Sequence, residues 1–226
     1  MSTSSRTRPS YHHGDLRNAL IEAGKELAAS GGPEAVTVRA VAKAVGVTPT
    51  AAYRHFASHA DLVDAVKGAA LARLAERVGA ATAAVSGPDP VTTATMRLKA
   101  TGEAYLKFAT EDTGSFMVAF DRGVDHQPGG DLALFLANSD TAFGQLRESL
   151  DELVRVGYLT TEARVNAEFV AWSVVHGLAH LTLSGPLSAM PAADYDALVD
   201  KALCAIIDGL HARSDADPAR VDVVEP

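Results

Sequence analysis

Apolar side chains recur at helical spacing in two short runs between residues 37 and 56, where the chain reads TVRAVAKAVGVTPTAAYRHF. One run precedes a glycine and the other follows it. The apolar positions are Val38, Val41, Ala42 and Val45 in the first run and Ala52 and Phe56 in the second. A spacing of three or four residues places such side chains on one face of an α-helix, so the pattern predicts two short amphipathic helices.

Residues that favour helix ends mark the boundaries of both helices. Thr37 and Thr48 precede the two runs, and a threonine hydroxyl can accept one of the backbone N–H groups left unpaired at a helix start. Pro49 follows at the first helical position, and Gly46 lies where a helix can end in the left-handed conformation. A turn of about four residues containing glycine is typical of a DNA-binding helix-turn-helix, although two short helices around a glycine can also pack without any such role.

The flanking segments extend this motif into a helical domain. Upstream, GDLRNALIEAGKELAAS predicts a first helix that ends at Gly31 and Gly32. Its apolar face comprises Leu16, Leu20, Ala23 and Leu27. Downstream, Ser58 lies three residues before Asp61, an arrangement similar to a capping box that predicts the start of a fourth helix.

The rest of the chain shows helical periodicity, and no stretch alternates as a strand would. Further helices are predicted at about 60–85, 91–110, 115–120, 131–156, 160–184 and 192–212. Glycine- and proline-rich loops are predicted at 86–90 and 121–130, and flexible polar tails at 1–10 and 213–226. The predicted fold class is therefore all-α, with about nine helices.

Three segments together resemble a known family. YHHGDLRNAL, TVRAVAKAVGVTPTAAYRHF and SHADLVDAV are similar to the N-terminal domain of the tetracycline-repressor (TetR) family of transcriptional regulators, over residues 11–68. AWSVVHGLAHL at 171–181 resembles the Trp-His-Gly segment in the C-terminal domain of one branch of that family. The resemblance implies a helix-turn-helix DNA-binding domain at 11–60 and a helical ligand-binding and dimerisation domain at 61–212.

The motif and the resemblance together predict a DNA-facing set. Arg39 is the predicted reader of guanine, and Pro49 and Ala51 offer apolar contact to a thymine methyl group. By resemblance, Tyr53 and His55 position the phosphate backbone. The predicted set is Thr37, Arg39, Thr48, Pro49, Thr50, Ala51, Tyr53, Arg54, His55 and His59. Two members depart from the family, which commonly has Lys where this chain has His59 and a small Gly or Ala where it has Thr50.

The net charge of −8 is unevenly distributed: residues 1–60 are basic and the remainder is acidic. Residues 1–60 carry seven Lys/Arg and four Asp/Glu, whereas the remainder carries 13 and 24. Binding to phosphate depends on local charge, and the basic excess coincides with the motif. Cys204 is the only cysteine, so an internal disulfide is excluded. We expect no signal peptide. The longest apolar run, 169–183, is too short to span a bilayer. We therefore expect a cytoplasmic protein.

Aromatic residues concentrate in the predicted second domain. Five of the seven phenylalanines lie between 108 and 143. Such a cluster can simply be a core, but ligand pockets are also mostly apolar and aromatic, and the resemblance places an inducer pocket among these helices. The candidate ligand-binding residues are Tyr105, Phe108, Phe116, Met117, Phe120, Phe135, Trp172 and His176.

His176 and His180 are four residues apart, so both can face one way on a helix. That spacing suits zinc, but the letters HGLAH lack the glutamate of a metalloprotease motif, and the sequence offers no obvious third ligand. A metal site, a hydrogen-bonding role in a ligand pocket and structural packing remain the three alternatives.

The last two predicted helices are apolar over a wider surface than one core-facing stripe requires, so we predict that they form the seam of a symmetric dimer. The candidate interface residues are Phe169, Ala179, Leu183, Val199, Ala202, Leu203, Ile206 and Leu210. The predicted function is a ligand-responsive regulator, a repressor, that binds a palindromic operator as a homodimer and takes a small, largely apolar effector. We predict no cofactor and no catalysis. The alternative is a helical metal-dependent enzyme that uses His176 and His180.

Overall fold

The computed structural model describes residues 13–120 and 140–215. Within these residues the chain forms ten α-helices and one short 3-10 helix at Pro33–Ala35, and no strand occurs there, which confirms the predicted all-α class. The first six α-helices are α1 His13–Gly31, α2 Val38–Val45, α3 Pro49–Tyr53, α4 His59–Ala83, α5 Pro90–Glu111 and α6 Thr113–Phe120. The last four are α7 Ala142–Arg155, α8 Thr161–Arg164, α9 Ala167–Leu183 and α10 Ala192–Asp215.

These helices form two compact units. The first unit comprises the residues up to Ala70 together with the segment that begins at Gly114. Its apolar core includes Leu20, Val36, Val41, Ala52, Phe56, Leu62, Val66 and, from α6, Val118. The start of α6 approaches α1 closely, because a Cβ atom at Gly114 would lie 2.0 Å from the Cα of Ala29. A side chain at this position would therefore collide with backbone.

The second unit comprises Leu71–Thr113 and the described residues from Asp140 onward. Here α5 packs against α7, α9 and α10. The core of these helices includes Ala94, Leu98, Phe143, Leu146, Leu150, Leu153, Leu159, Ala171, Ile207 and Leu210. The centre of the predicted ligand-binding domain is therefore a helical bundle.

Two predicted helices differ from the structure. In the described part of the helix predicted at 131–156, α7 begins at Ala142, where the hydroxyl of Thr141 caps it by accepting the backbone N–H of Gly144 at 3.0 Å. The helix predicted at 160–184 is divided into α8 and α9 by Asn166, which has a φ of 60°. Asparagine tolerates this left-handed conformation better than most residues do. The predicted end of the earlier helix is confirmed by Gly157, with a φ of 76°.

The division between the two units falls inside α4, after Ala70. The domain boundary after residue 60 stays a prediction. The final helix continues to Asp215, beyond its predicted end at about 212. Several predicted segments lie outside the described residues: the loop at 121–130, the part of a helix at 131–139, the tail at 1–10 and most of the tail at 213–226. None of the described helices combines the length and the apolar character that crossing a membrane requires.

Candidate functional site

The helix-turn-helix predicted at 37–56 is present, with each end fixed by a local hydrogen bond. The hydroxyl of Thr37 accepts the N–H of Ala40 at 3.1 Å, and that of Thr48 accepts the N–H of Ala51 at 3.2 Å. Gly46 ends α2 in the left-handed region, with φ 77° and ψ 29°. These local bonds determine where α2 begins and ends and where α3 begins.

The short helix α3 presents one face to solvent and the other to the core. Ala52 and Phe56 are buried, whereas the side chain of Tyr53 is 52% exposed. The exposed residues on and beside this helix are Thr48, Pro49, Thr50, Tyr53 and Arg54, with Ala51 and His55 half-buried. Such a face, polar and apolar in turn, is the kind that reads base edges in a major groove.

The starts of α2 and α4 add further exposed groups. Thr37 and Arg39 are exposed at the first turn of α2. His59 is exposed at the first position of α4, and its Nε2 lies 2.7 Å from the carbonyl oxygen of Val36, to which it donates. A neutral imidazole has one N–H, so while Nε2 donates to Val36 the Nδ1 of the neutral ring is an acceptor.

Two basic residues near this face were not in the predicted set. Lys43 is exposed in the last turn of α2. Arg17 is exposed on α1, and its guanidinium carbon lies 5.1 Å from the centre of the Phe56 ring, just beyond α3. Periodicity could place Arg17 on the polar side of its helix, but not beside a residue 39 positions away.

In the second unit, three candidate ligand-binding residues form one hydrogen-bonded chain. The hydroxyl of Tyr105 lies 2.7 Å from Nδ1 of His176, and the indole Nε1 of Trp172 donates to the same hydroxyl at 3.4 Å. Aromatic rings lie next to these three hydrogen-bonded residues. The ring centroid of Phe143 lies 6.0 Å from that of Trp172 and 5.6 Å from that of Phe169. Phe143 and Phe169 were absent from the predicted ligand-binding set.

Burial determines the protonation states of Tyr105 and His176 in this hydrogen-bonded group. It raises the pKa of the Tyr105 hydroxyl well above its usual range, so the phenol keeps its proton. Burial, and to a smaller extent the neighbouring His180, lowers the pKa of His176 to about 4. At neutral pH, Tyr105 therefore donates to the unprotonated Nδ1 of a neutral His176, while Trp172 donates to Tyr105.

The other predicted ligand-binding residues are not part of this chain. Phe108 is buried beneath the guanidinium of Arg77, which lies 5.4 Å from the ring centre. Phe116 and Phe120 belong to the first unit, where their rings pack 4.9 Å apart, and Met117 lies half-buried between them in sequence. Phe135 lies outside the described residues.

The geometry gives little support to a metal at the histidine pair. The rings of His176 and His180 do lie together, with centroids 4.6 Å apart. However, Nδ1 of His176 is bonded to Tyr105, and within 13–120 and 140–215 no group of three or more His, Cys, Asp or Glu could hold a metal ion.

Three of the eight residues of the predicted dimer interface are buried within one chain, and the interface itself stays a prediction. Ala179, Leu203 and Leu210 are buried in that chain, and Ile206 packs against its core, so these side chains are already covered by neighbouring helices. Phe169, Leu183, Val199 and Ala202 are half-buried. The exposed apolar side chains of α9 are instead Val170, Val174 and Leu181, at 54%, 38% and 46% exposure, and the exposed Gly177 lies between them.

Two family models match the chain. Residues 20–66 match "Bacterial regulatory proteins, tetR family", and residues 98–206 match "Tetracyclin repressor-like, C-terminal domain". Together they cover more than half of the chain, and the first includes the whole helix-turn-helix. The particular branch suggested by the Trp-His-Gly segment stays a prediction. No curated protein matches the chain in sequence.

Solved structures share the fold at low sequence identity. A Rhodococcus sp. RHA1 protein of unknown function has a TM-score of 0.70 and 22% identity, over 92% of this chain and 100% of that one. The fatty acid degradation regulator FadR from Bacillus halodurans has a TM-score of 0.63 and 16% identity, over 90% and 97%. A single-residue variant of TetR from Acinetobacter baumannii AYE, in complex with minocycline, has a TM-score of 0.55 and 18% identity, over 88% and 98%.

Proposed function

Because the chain belongs to the TetR family of bacterial regulatory proteins, we propose that it represses transcription by binding a palindromic operator as a homodimer, under the control of a small, largely apolar effector. The chain is a ligand-responsive, DNA-binding transcriptional regulator. Regulators of this family bind operators and small effectors, typically as dimers, and are generally not enzymes. The operator geometry, the dimer face and the effector class are our proposals.

The observation that supports operator binding most directly is the exposed face of α3. Its side chains are displayed on a helix that is capped by Thr48 and anchored by the buried Ala52 and Phe56. A rigid display matters because each base contact requires a side chain to be held within hydrogen-bonding reach of a base edge. The face therefore suits sequence reading rather than general attraction to phosphate.

Within this face we assign separate roles to Arg39 and Tyr53. An arginine that donates two hydrogen bonds to guanine discriminates among bases, whereas a tyrosine hydroxyl on a phosphate strengthens binding to every sequence. Arg39→Ala should therefore weaken operator binding by about 1–3 kcal/mol and relax the preference at one base pair in each half-site.

The experiment is a gel shift with the DNA that flanks the protein's own gene, followed by single-base variants of the bound site. Lys43→Ala is the control for Arg39→Ala, because both residues are exposed and basic on α2. The lysine variant should lose affinity for all sites alike or not at all. An equal loss for every sequence in Arg39→Ala would show that this arginine does not read a base.

A second chain is needed because one recognition helix makes too few contacts for operator specificity. We propose that its docking face includes the stripe of Val170, Val174, Gly177 and Leu181 on α9, whereas three of the residues predicted from sequence, Ala179, Leu203 and Leu210, are buried within one chain. Large apolar side chains that repeat on one exposed helix face are a common mark of a protein interface, and a glycine among them lets two helices approach closely.

The dimer is tested with Val174→Glu, which places a charge in the centre of this stripe. We expect folded monomers that no longer bind the operator. Met96→Glu on α5 is a matched control, since Met96 is a similarly exposed apolar residue, at 43%, on a different helix. If sedimentation showed that Val174→Glu is still a dimer, the interface would have to lie on another face.

For the effector, we propose a site at the chain of Tyr105, Trp172 and His176. At neutral pH these groups carry no net charge, and aromatic rings surround them. Such a site matches a small, largely apolar molecule with a hydrogen-bonding group better than a charged one. We assign no cofactor and no catalytic role, and we keep the cytoplasm, where the operator would be, as the predicted compartment.

Effector control is tested with the fluorescence of Trp172, the only tryptophan. A library of small apolar compounds is titrated with and without operator DNA. Thermodynamic coupling is reciprocal, so a compound that weakens operator binding tenfold must itself bind about tenfold more weakly to the operator complex. Equal affinities in both titrations would leave a regulator that does not respond to that compound.

The alternative of a metal-dependent enzyme is not supported. Both matching family models describe regulatory proteins. The histidine pair also lacks a third ligand among the residues that the structure describes.

A further inference from the structure

Arg17 is a basic residue of α1 that lies outside the helix-turn-helix but close to the end of its second helix. Its neighbours Leu16 and Leu20 pack in the core of the first unit, while Arg17 itself is exposed. The guanidinium carbon stands 5.1 Å from the centre of the Phe56 ring, within the range of a cation–π contact. This contact places the guanidinium beside a residue that lies three positions after the end of α3.

The charge of Arg17 has no acidic partner among the described residues, and the same is true of Arg39 and Arg54. On the same helix, Lys25 forms an ion pair with Glu22 at 2.8 Å. An exposed guanidinium near the end of the recognition helix, with no carboxylate partner in the part of the chain that the structure describes, can take a phosphate as its partner.

We infer that Arg17 contacts a DNA phosphate beside the half-site read by α3, and that α1 is therefore part of the operator-binding surface. A guanidinium carries five N–H donors, so one that contacts an aromatic ring keeps donors that can match the oxygens of a phosphate. The contact with Phe56 also limits the conformations of the side chain before DNA arrives, so less conformational entropy is lost on binding. This inference rests on the proposed operator binding and adds a residue to it.

The contact predicts a measurable dependence on salt. Each neutralised phosphate contributes about −0.9 to the slope of log Kobs against log salt concentration. A homodimer makes the contact twice, so loss of the Arg17 charge should reduce the steepness of that slope by about 1.8. Between about 50 and 200 mM salt, the affinity of the wild-type protein should then fall about tenfold more than that of the variant.

The variants are Arg17→Gln and Arg17→Met, with Arg17→Lys and Lys25→Gln as controls. Methionine keeps an unbranched stem that can lie against the Phe56 ring, so it separates the charge from the packing if the glutamine variant is unstable. Arg17→Lys keeps the charge and should keep the slope. Lys25→Gln removes a paired charge from the same helix and should leave the slope unchanged.

The measurement is operator affinity at several salt concentrations, together with thermal unfolding of each variant. A reduced slope in Arg17→Gln and Arg17→Met, with the wild-type slope in both controls, is the expected result. A slope unchanged in either neutral variant, while the wild type binds its operator, would overturn the phosphate contact alone. A wild-type protein that binds no flanking DNA even at low salt would overturn the proposed function and this contact together.

Discussion

Some of the arginines in the two units of the molecule differ in their partners. In the second unit, ion pairs join Arg77 to Glu111 at 3.0 Å and Arg97 to Glu152 at 2.7 Å. In the described part of the first unit, Arg39, Lys43 and Arg54 are exposed without a carboxylate partner. A surface that binds DNA needs cations whose partners are phosphates, whereas Arg77 and Arg97 already have carboxylate partners within their own unit.

The candidate functional groups differ in the same way. On α3 they point into solvent above a separate apolar core, so a substitution there should change DNA binding with little effect on folding. In the second unit, Tyr105 is buried and bonded to His176 and Trp172, so a substitution there changes the core as well. Function and stability should therefore be separable in the first unit and coupled in the second.

The largest expected effect tests how far the first unit depends on distant sequence. Gly114 in α6 lies against the backbone of α1, with no room for a Cβ atom beside Ala29. Gly114→Ala should force the two helices apart and lower the free energy of unfolding by about 3 kcal/mol, the upper end for overpacking. The measurement is urea unfolding followed by circular dichroism.

Gly68→Ala in α4 is the control, because no atom lies within 4 Å of a Cβ at that position. That variant should gain about 0.5–1 kcal/mol from the greater helix propensity of alanine. Equal stabilities for the two variants would mean that α1 and α6 do not pack closely, and that the first unit is formed by the N-terminal segment alone.

Gly114 also illustrates what the sequence could and could not predict. The caps at Thr37 and Thr48 and the left-handed Gly46 depend on bonds that span three or four residues, so the local sequence predicted them. Gly114 and Ala29 are in contact although they are 85 residues apart in sequence. The apolar periodicity of a segment does not predict which distant residue will pack against it. The contact of Arg17 with Phe56 was missed for the same reason.

Two features of the second unit were beyond the sequence pattern for a similar reason. Apolar periodicity continues on both sides of Asn166, so the pattern predicted one helix where a left-handed residue separates two. The buried positions of Ala179, Leu203 and Leu210 were predicted as apolar, but a helix pattern cannot tell whether the same chain or a second one covers them. Only the arrangement of the helices decides between these possibilities.

A matched pair of tyrosine substitutions tests the separation of function from stability. Tyr105→Phe removes the donor to Nδ1 of His176 and the acceptor for Trp172, so it should lower the free energy of unfolding by about 2 kcal/mol. Tyr53→Phe should change it by less than about 0.5 kcal/mol, because that side chain is 52% exposed. In a gel shift, Tyr53→Phe should weaken binding to all sequences alike, while Tyr105→Phe without effector should bind as the wild type does. If Tyr53→Phe lowered the free energy of unfolding more than Tyr105→Phe does, function and stability would not be separable in the first unit.

The smallest expected effect concerns the pH dependence of the second unit. Burial lowers the pKa of His176 to about 4, whereas an unfolded histidine has its ordinary value near 6.5. Between these values the unfolded chain binds a proton that the folded chain excludes, so stability should be retained above pH 6.5 and lost as the pH falls toward 4. We expect a loss of about 1 kcal/mol, which is less than the full shift implies because solvent screens the half-buried ring.

Carboxylates titrate in the same range, so the informative quantity is the difference in stability between the wild type and His176→Gln at each pH. The side-chain amide oxygen of the glutamine can still accept a hydrogen bond from the Tyr105 hydroxyl. Thermal unfolding at about pH 8, 6 and 4.5 should show the wild type losing more stability than the variant as the pH falls. Parallel profiles would mean that His176 is protonated equally easily in the folded and unfolded chains, and that the polar groups of the second unit are as open to solvent as those of α3.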